Sequence, residues 1–136
     1  MISGYRVSSD RNEMDVDVIH SYISTSYWAA GIPKETVKKA LENSLCFGVF
    51  SPDGNQVGFA RMITDQATFA YLADVFIDEE HRGQGLSKWL MQHVHDHPSL
   101  QGLRRILLAT RDAHGLYQRF GYTALSSPET FMQKWQ

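Results

Sequence analysis

A strand, a glycine-containing loop, a helix and a second strand follow one another in the middle of the chain, and this order constrains the fold most. Thr68–Ile77 is almost entirely apolar or aromatic and predicts a buried strand. The loop Asp78–Gly85 carries two glycines, and Leu86–His97 places its apolar residues on one face of a predicted helix. Arg105–Thr110 then predicts another buried strand. Such a crossover brings its two strands side by side in parallel.

The first half of the chain predicts antiparallel strands and two helices. The dipeptide Asp53-Gly54 lies between two apolar segments and supplies the positive-φ positions of a tight hairpin turn. Together with the crossover, this half predicts a mixed α+β (α/β) fold, with a mostly antiparallel sheet, one parallel strand pair and about four flanking helices. The other predicted elements are a strand at Tyr5–Val7, helices at Asp15–Tyr27 and Pro33–Leu41, strands at Leu45–Phe50 and Gln56–Ile63, a short helix at Ala113–Phe120 and a last strand at Phe131–Trp135.

The composition limits the classes of protein to which this chain can belong. Its 136 residues, 43% of them hydrophobic, predict a single domain over 1–136 with an ordinary core. The net charge of −2 gives no global field that would draw the protein to nucleic acid or to an anionic membrane. The single cysteine, Cys46, excludes an internal disulfide, and we expect it to be a small core residue. Since no signal-peptide pattern or long apolar segment is present, we expect a cytoplasmic protein that binds neither nucleic acid nor membrane.

The glycines of the loop predict a binding site for phosphate groups. Gly83 and Gly85 let the backbone turn so that successive N–H groups face one concavity, directly before a helix whose first N–H groups have no intrahelical partner. Arg82 and Lys88 add positive charge beside this concavity. An ordinary strand-to-helix turn explains the same glycines. The loop lacks the Gly-Lys-Ser/Thr ending of a P-loop and the further glycine and acidic residue of a dinucleotide fingerprint, which excludes those two kinds of nucleotide site.

Two short motifs, one in the glycine loop and one after the second strand of the crossover, carry the most specific signal. The first is Arg82-Gly83-Gln84-Gly85-Leu86-Ser87, which follows R-x-x-G-x-[GA] up to its last position. The second is Leu116-Tyr117-Gln118-Arg119-Phe120-Gly121-Tyr122, which matches L-Y-x-x-x-G-[FY]. In sequence, order and separation they resemble the GNAT superfamily of acetyl-CoA-dependent N-acetyltransferases. Ser87 departs from the usual final glycine or alanine of the first motif. Asp112 stands where the family often has an asparagine, and we interpret it as the N-cap of the short helix.

The resemblance implies a GNAT-like fold, acetyl-CoA as co-substrate, and direct transfer of the acetyl group to a primary amine of a small molecule or peptide. In this family acetyl-CoA lies in an opening between the two splayed parallel strands. The resemblance assigns it to the main chain of Val75, Phe76 and Ile77 and to the loop residues Arg82, Gly83, Gln84, Gly85, Leu86, Ser87 and Lys88. The Phe76 N–H is the predicted donor to the thioester carbonyl. By the same resemblance, we expect Tyr117 to be the general acid that protonates the leaving thiolate.

The general base and the acceptor pocket are assigned from individual residues. Asp74 is a lone carboxylate in an apolar strand, where an unpaired charge is costly. It either pairs locally or faces the substrate and acts as the catalytic base. Trp28 and Tyr27 at the end of the first predicted helix, and Phe69 and Tyr71 on the central strand, are the aromatic candidates for binding the acceptor. A core position explains Trp28 equally well.

Three further interpretations remain open on the sequence alone. A GNAT-fold protein that holds acetyl-CoA without turnover, as a sensor or interaction module, fits the same motifs. The spacing of His93, His95 and His97 suits either a metal site or the favourable charge of histidines at a helix C-terminus, and we predict no metal. The last strand, Phe131–Trp135, is expected to be exposed, where two copies can pair, so a homodimer is a further prediction.

Overall fold

The computed structural model describes residues 2–136, which form one five-stranded sheet and four α-helices. The elements are β1 (Arg6–Ser8), α1 (Val16–Ile23), α2 (Lys34–Glu42), β2 (Leu45–Phe50), β3 (Gln56–Thr64), β4 (Phe69–Ile77), α3 (Leu86–Asp96), β5 (Arg105–Leu108) and α4 (His114–Gln118). Short 3-10 turns lie at Arg11–Glu13, Glu79–His81, Pro98–Leu100 and Pro128–Thr130. The mixed fold predicted from the sequence is confirmed.

The strands lie in the sheet in the order of the chain, from β1 at one edge to β5 at the other. β1 to β4 are antiparallel, and β5 is parallel to β4, as the crossover through α3 predicts. The parallel ladder is short, running from Phe69 opposite Arg105 to Leu72 opposite Leu108. β4 then continues to Ile77 with β3 as its partner, whereas β5 ends at Leu108. An opening between the two strands therefore begins beyond Leu72.

Helices cover both faces of the sheet and bury two apolar clusters. On one face α3 and α4 pack over a large cluster that includes Phe47 and Met62, and on the other α1 and α2 cover a cluster that includes Cys46 and Phe59. Cys46 and Phe47 lie on opposite faces because side chains alternate along a strand. Cys46 is thus a core residue, as predicted. Within residues 2–136 the longest helix, α3, has 11 residues, and no helix there is long and apolar enough to cross a bilayer.

The first helix is shorter than its apolar spacing predicts. α1 ends at Ile23, so Tyr27 and Trp28 lie in the connection to α2. The residues that follow Ile23 carry hydroxyl groups, and these compete for the carbonyls of the last helical turn. Ser26 Oγ donates to the carbonyl oxygen of Ile23 at 2.6 Å, and Thr25 Oγ1 donates to a carbonyl one residue earlier. The early end of α1 leaves two aromatic side chains outside the helix.

The prediction of a last strand at Phe131–Trp135 is wrong for the single chain. Residues 131–136 have no regular secondary structure. A groove of about 790 Å³ lies between β5 and the segment 123–131, and the C-terminal residues do not pair with β5 across it. A strand needs a neighbour for its backbone N–H and C=O groups. The composition of this segment alone therefore does not produce a strand here.

Gly58 on β3 is a point of close packing beside β4. A Cβ at this position would meet Ile77 Cδ1 at 2.7 Å and Val49 Cβ at 3.0 Å. We expect Gly58→Ala to lower the free energy of unfolding by about 1–3 kcal/mol, because overpacking displaces buried side chains. Chemical denaturation measures the change. Gly115→Ala is the matched control, since a Cβ there meets no atom within 4 Å; an equal loss in both variants would contradict the steric explanation.

Candidate active site

β4 presents backbone rather than side chains to the opening. Phe76 is buried in the cluster under α1 and α2, where the Tyr22 ring stacks on it with 4.1 Å between centroids. Ile77 is buried in the cluster on the opposite face, and Val75 packs against that cluster. Because these three side chains are turned to the two faces of the sheet, the main-chain N–H and C=O groups are what remains along the edge.

One hydrogen bond at the end of β4 fixes the direction of these backbone groups. Asp78 N–H donates to the carbonyl oxygen of Val57 at 2.7 Å and so faces β3. N–H groups alternate in direction along a strand, which turns the Phe76 N–H toward β3 and those of Val75 and Ile77 toward the opening. This register corrects the assignment of Phe76 as the donor to a thioester carbonyl. A donor on this edge comes from Val75 or Ile77.

Asp74 lies at an irregularity of the β3–β4 ladder. The pairing shifts between Phe59 and Arg61, and Asp74 has a left-handed backbone conformation with φ of 56°. Such a bulge adds a residue to one strand and redirects its side chain. The carboxylate accepts a hydrogen bond from Arg61 Nε at 2.9 Å and another from Trp28 Nε1 at 2.8 Å. Of the two interpretations of Asp74, local pairing is the arrangement that the structure shows.

Arg61 is a site residue that the sequence reasoning missed. Its side chain is 16% exposed and that of Asp74 is 13% exposed, so the ion pair is largely shielded from water. Arg61 Nη1 also donates to Ser44 Oγ at 3.1 Å. A signal was available in the sequence: Arg61 and Asp74 are the charged residues of two otherwise apolar or neutral strands that a hairpin joins. Two isolated opposite charges on neighbouring strands favour a cross-strand pair.

The glycine loop has the backbone shape that the sequence predicts. Gly83 and Gly85 have φ angles of 85° and 84°, in the left-handed region that glycine adopts without a steric penalty. A Cβ added at either position would meet no atom within 4 Å. The space in front of the loop is therefore open to a ligand.

The first turn of α3 adjoins this space. The helical hydrogen bonds begin with Trp89 N–H, which donates to the carbonyl oxygen of Gly85 at 3.1 Å. The N–H groups of Leu86, Ser87 and Lys88 precede it and have no intrahelical acceptor. Leu86 is buried, whereas Ser87 is half-buried and Lys88 is exposed. Glycine loop and helix start together present a concentration of partial positive charge, which suits an anionic group.

Two polar side chains of the loop hold it to the rest of the protein. Arg82 Nε donates to the carbonyl oxygen of Ile77 at 2.9 Å, and its Nη2 donates to the Tyr22 hydroxyl at 2.5 Å. Gln84 Nε2 donates to the Tyr5 hydroxyl, directly before β1, at 3.1 Å. These contacts fix the loop against β4, α1 and the start of β1. Its capacity to bind an anion comes chiefly from the backbone.

Tyr117 lies on α4 with 7% of its surface exposed. Its ring meets that of Tyr122 edge-on, with 5.9 Å between centroids. Burial raises the pKa of Tyr117 to about 12, and the proximity of Tyr27 and Asp112 acts in the same direction. A phenol with this pKa keeps its proton at neutral pH and is available as a hydrogen-bond donor.

The start of α4 differs from its predicted form. Thr110 Oγ1 accepts a hydrogen bond from Ala113 N–H at 3.1 Å, and the position before the helix, Ala113, makes no side-chain capping bond. Asp112 is therefore not the N-cap. Thr110 satisfies one backbone N–H at the start of the helix in its place. The acceptor lies three residues before the donor, which is a short-range turn common to serine and threonine.

Tyr27 and Trp28 form an aromatic corner where the α1–α2 connection meets the β5–α4 connection. Their rings meet edge-on with 5.1 Å between centroids. The Tyr27 hydroxyl accepts from Arg111 N–H at 3.3 Å, and the Arg111 guanidinium lies 3.8 Å from the centre of the Tyr27 ring. Trp28 is 42% exposed, which excludes the core position considered for it. Arg111 is a second residue of this region that no motif singled out.

The structure does not bring Phe69 to the opening. Phe69 pairs with Arg105 at the start of the parallel ladder, five residues before Asp74 and so roughly 15 Å away along the strand. Tyr71 is nearer and half-buried. Leu72 faces α3, and successive side chains of a strand point to opposite faces of the sheet. Tyr71 therefore lies on the face covered by α1 and α2.

The three histidines near the end of α3 have separate partners. His95 Nδ1 lies 2.7 Å from a carbonyl oxygen of the same helix, and its Nε2 lies 2.8 Å from the Tyr122 hydroxyl. His97 Nδ1 accepts from Ser99 N–H at 3.1 Å. The ring of His93 packs edge-on against a tryptophan on its helix. In the described part of the chain, 2–136, no group of three or more potential ligands is arranged to hold a metal ion.

The glycine loop, the opening and α4 all lie within the segment that matches a known family. The model of the acetyltransferase (GNAT) domain matches residues 42–124. The chain belongs to the GNAT acetyltransferase family. A Gibberella zeae protein provisionally named acetyltransferase FG08082 is 36% identical over 135 residues, which cover 83% of this chain and 75% of that protein.

Solved structures of other proteins have the same fold. A protein of Xanthomonas campestris pv. campestris, described as belonging to the GNAT family, is 52% identical with a TM-score of 0.94 over 97% of this chain and 93% of its own. Rv2747 of Mycobacterium tuberculosis, solved with CoA and NLQ, is 20% identical with a TM-score of 0.71 over 89% of this chain and 73% of its own. The second likeness concerns the fold alone.

The raised pKa of Tyr117 predicts a loss of stability at alkaline pH. The phenol ionises near pH 10 in the unfolded chain and at about 12 in the folded one. Below pH 10 both states keep the proton; between pH 10 and 12 the unfolded state loses it first, so folding becomes less favourable by roughly 2–3 kcal/mol. We expect the melting temperature of Tyr117→Phe to fall less steeply over this range than that of the wild type. Parallel curves would contradict the assignment.

Proposed function

We propose that residues 1–136 act as one N-acetyltransferase domain that transfers the acetyl group of acetyl-CoA to a primary amine of a small molecule or peptide. The observation that carries the proposal is the opening between β4 and β5. The Val75 and Ile77 N–H groups face this opening without a hydrogen-bond partner in the sheet, and β4 leads from them into the glycine loop. Acetyl-CoA is the co-substrate of the GNAT family, and the Mycobacterium tuberculosis neighbour holds CoA.

The residues along this edge suit a CoA thioester. The pantetheine arm is an extended chain with amide groups, and the backbone of Val75 and Ile77 offers it the hydrogen bonds of an additional strand. The pyrophosphate is anionic and suits the backbone N–H groups from Gly83 to Lys88, with the Lys88 ammonium nearby. The open space in front of Gly83 and Gly85 supports this placement.

In the proposed reaction a neutral amine attacks the carbonyl carbon of the thioester. A C–N bond forms, the C–S bond breaks, the amine loses a proton and the CoA sulfur gains one. We assign to the Val75 N–H the hydrogen bond that stabilises negative charge on the carbonyl oxygen, the role first given to its neighbour Phe76. This donor is fixed by the β-sheet, so it needs no rearrangement during the reaction.

Tyr117 is the proposed donor to the departing sulfur. A phenol with a pKa of about 12 is a weaker acid than a thiol with a pKa near 8.5, so complete proton transfer to the thiolate is uphill. Its proposed contribution is a hydrogen bond that stabilises the thiolate as the C–S bond breaks. The proton released by the attacking amine then neutralises the sulfur.

For Asp74 the contacts support a positioning role over that of the general base. Each carboxylate oxygen accepts a hydrogen bond, one from Arg61 and one from Trp28. Accepting a proton from the amine would disturb one of these bonds. We propose that Asp74 holds the Trp28 indole, and with it the corner formed with Tyr27, as one wall of the acceptor pocket. The aromatic faces suit the carbon skeleton or the cation of an amine.

The first prediction from this proposal concerns binding. Acetyl-CoA and CoA, but not ATP, are expected to raise the melting temperature by several degrees, since a ligand at 100 times its Kd adds about 2.7 kcal/mol. Gly85→Ala is expected to reduce this shift because a left-handed φ strains alanine. Gly102→Ala is the matched control. Gly102 also has a left-handed φ, of 77°, and no atom within 4 Å of an added Cβ, so alanine there introduces the same backbone strain away from the glycine loop. No shift with either CoA form would contradict the proposal.

The second prediction concerns turnover, measured as thiol release with a panel of primary amines. Loss of the Tyr117 donor in Tyr117→Phe is expected to lower kcat about 100-fold or more. Asp74→Asn keeps an oxygen that can accept from Trp28 and a residue that tolerates a left-handed φ, so we expect a raised KM with kcat largely retained. An unchanged kcat in Tyr117→Phe would contradict the role of Tyr117 as hydrogen-bond donor to the sulfur. A 100-fold loss of kcat at unchanged KM in Asp74→Asn would instead support Asp74 as the general base.

A non-catalytic acetyl-CoA-binding module is the second candidate, and the engagement of Asp74 by Arg61 and Trp28 favours it. Such a module is expected to show the melting shift with acetyl-CoA but no thiol release with any amine of the panel. Thiol release that depends on the amine would exclude it. The binding and turnover measurements therefore separate the two candidates.

A further inference from the structure

Arg111, on the connection between β5 and α4, carries a charge that the protein itself does not use. The other two arginines of the site are engaged: Arg61 pairs with Asp74, and Arg82 donates to a main-chain carbonyl oxygen and to a tyrosine hydroxyl. Arg111 is exposed. Within residues 2–136 its guanidinium donates no hydrogen bond and belongs to none of the four ion pairs. Its N–H groups are therefore available to a ligand.

The Tyr27 ring holds the Arg111 side chain in position. The guanidinium carbon lies 3.8 Å from the centre of that ring, and the Arg111 main-chain N–H donates to the Tyr27 hydroxyl. The ring stabilises the cation but offers no oxygen to the N–H groups of the guanidinium. A positive charge that is held in place with its hydrogen-bond donors unused suits an anionic group.

This cation lies at the thioester end of the proposed site. Burial raises the pKa of Tyr117, and the proximity of Tyr27 and Asp112 raises it further, so both residues are near the proposed donor to the CoA sulfur. Tyr27 also meets Trp28, whose indole donates to the carboxylate at the bulge of β4. Arg111 is thus close to the place where an acceptor amine reaches the thioester.

An anion at this place belongs to the acceptor rather than to acetyl-CoA. The phosphate groups of CoA are assigned to the glycine loop and the start of α3, and the pantetheine arm and the thioester are neutral. Asp112, the neighbour of Arg111, is exposed and provides a negative charge near Tyr117. An acceptor with an ammonium group at one end and an anionic group at the other therefore meets a charge of opposite sign at each end.

We propose that Arg111 selects acceptors that carry a carboxylate or phosphate group in addition to the primary amine, a role that rests on the proposed function. The guanidinium binds the anionic group through two of its N–H donors, which fixes orientation as well as adding affinity. The anionic group thus determines how the amine faces the thioester. The same charge disfavours diamines and other polycations.

Thiol release with matched acceptors tests this selection. The acceptors are unbranched primary amines of several matched chain lengths that end in a carboxylate, a carboxamide, a phosphate ester or a second amine. We expect kcat/KM for the preferred anionic acceptor to exceed that of its neutral and cationic counterparts about 10- to 100-fold, as charge-assisted hydrogen bonds do. The difference is expected to shrink at high salt because Arg111 is exposed. Equal kcat/KM for all four end groups would overturn the selection.

Variants of Arg111 assign the preference to this side chain. Arg111→Gln is expected to abolish it by raising KM for the anionic acceptors, and Arg111→Lys to keep part of it, since an ammonium group retains the charge but lacks the planar fork. Arg104→Gln is the matched control, because it removes another exposed arginine at the opposite end of β5. A preference that persists in Arg111→Gln, or that Arg104→Gln also abolishes, would overturn the role of Arg111.

Calorimetric titration separates this role from the proposed function. The same anionic amines are titrated into the wild type and Arg111→Gln, with and without saturating CoA, and we expect the wild type to bind them about 10-fold or more tightly. The measurement detects the anion site even where no amine gives thiol release. Equal affinities in the two proteins would overturn the anion site and leave the CoA site standing. An absent melting shift with CoA would overturn the proposed function instead.

Discussion

The separation of β4 from β5 after Leu72 is the constraint on which the candidate site depends. A parallel ladder of four residue pairs leaves the rest of β4 with one neighbour, so the backbone of Val75 and Ile77 has hydrogen-bonding capacity that the protein itself does not use. The carboxyl end of β4 leads directly into the glycine loop and the start of α3. Unpaired strand backbone and a positively polarised helix end therefore meet at one place without a large net charge.

The bulge at Asp74 links this opening to the rest of the molecule. Its left-handed backbone conformation places the carboxylate between Arg61 on β3 and Trp28 on the α1–α2 connection. A shielded ion pair is tolerated only when its hydrogen bonds are satisfied, and here both carboxylate oxygens have partners. The same residue thus joins the sheet to the aromatic corner, which is why we propose that it positions a wall of an acceptor pocket rather than removes a proton.

Much of the fold was predictable because local signals agreed with it. The Asp53-Gly54 turn predicted the hairpin of β2 and β3, and the strand–loop–helix–strand order predicted the parallel pair. The last strand was not predictable in the same way. The apolar side chains of Phe131–Trp135 suit a strand, but a strand requires a neighbour to pair with, and β5 of the same chain does not provide one. A segment forms a strand only where a second segment lies beside it to accept and donate its backbone hydrogen bonds.

For the site, the sequence by itself determined the residue types and their order: the two glycines before α3, the Tyr117 motif and the lone Asp74. Tertiary structure decided which of them face the opening. A single bulge changed the phase of β4, so that the N–H groups of Val75 and Ile77 point outward where the sequence had suggested Phe76. Hydrogen-bond direction alternates with every residue, so one inserted residue reverses it, and an insertion of this kind is fixed by contacts with other strands rather than by local sequence.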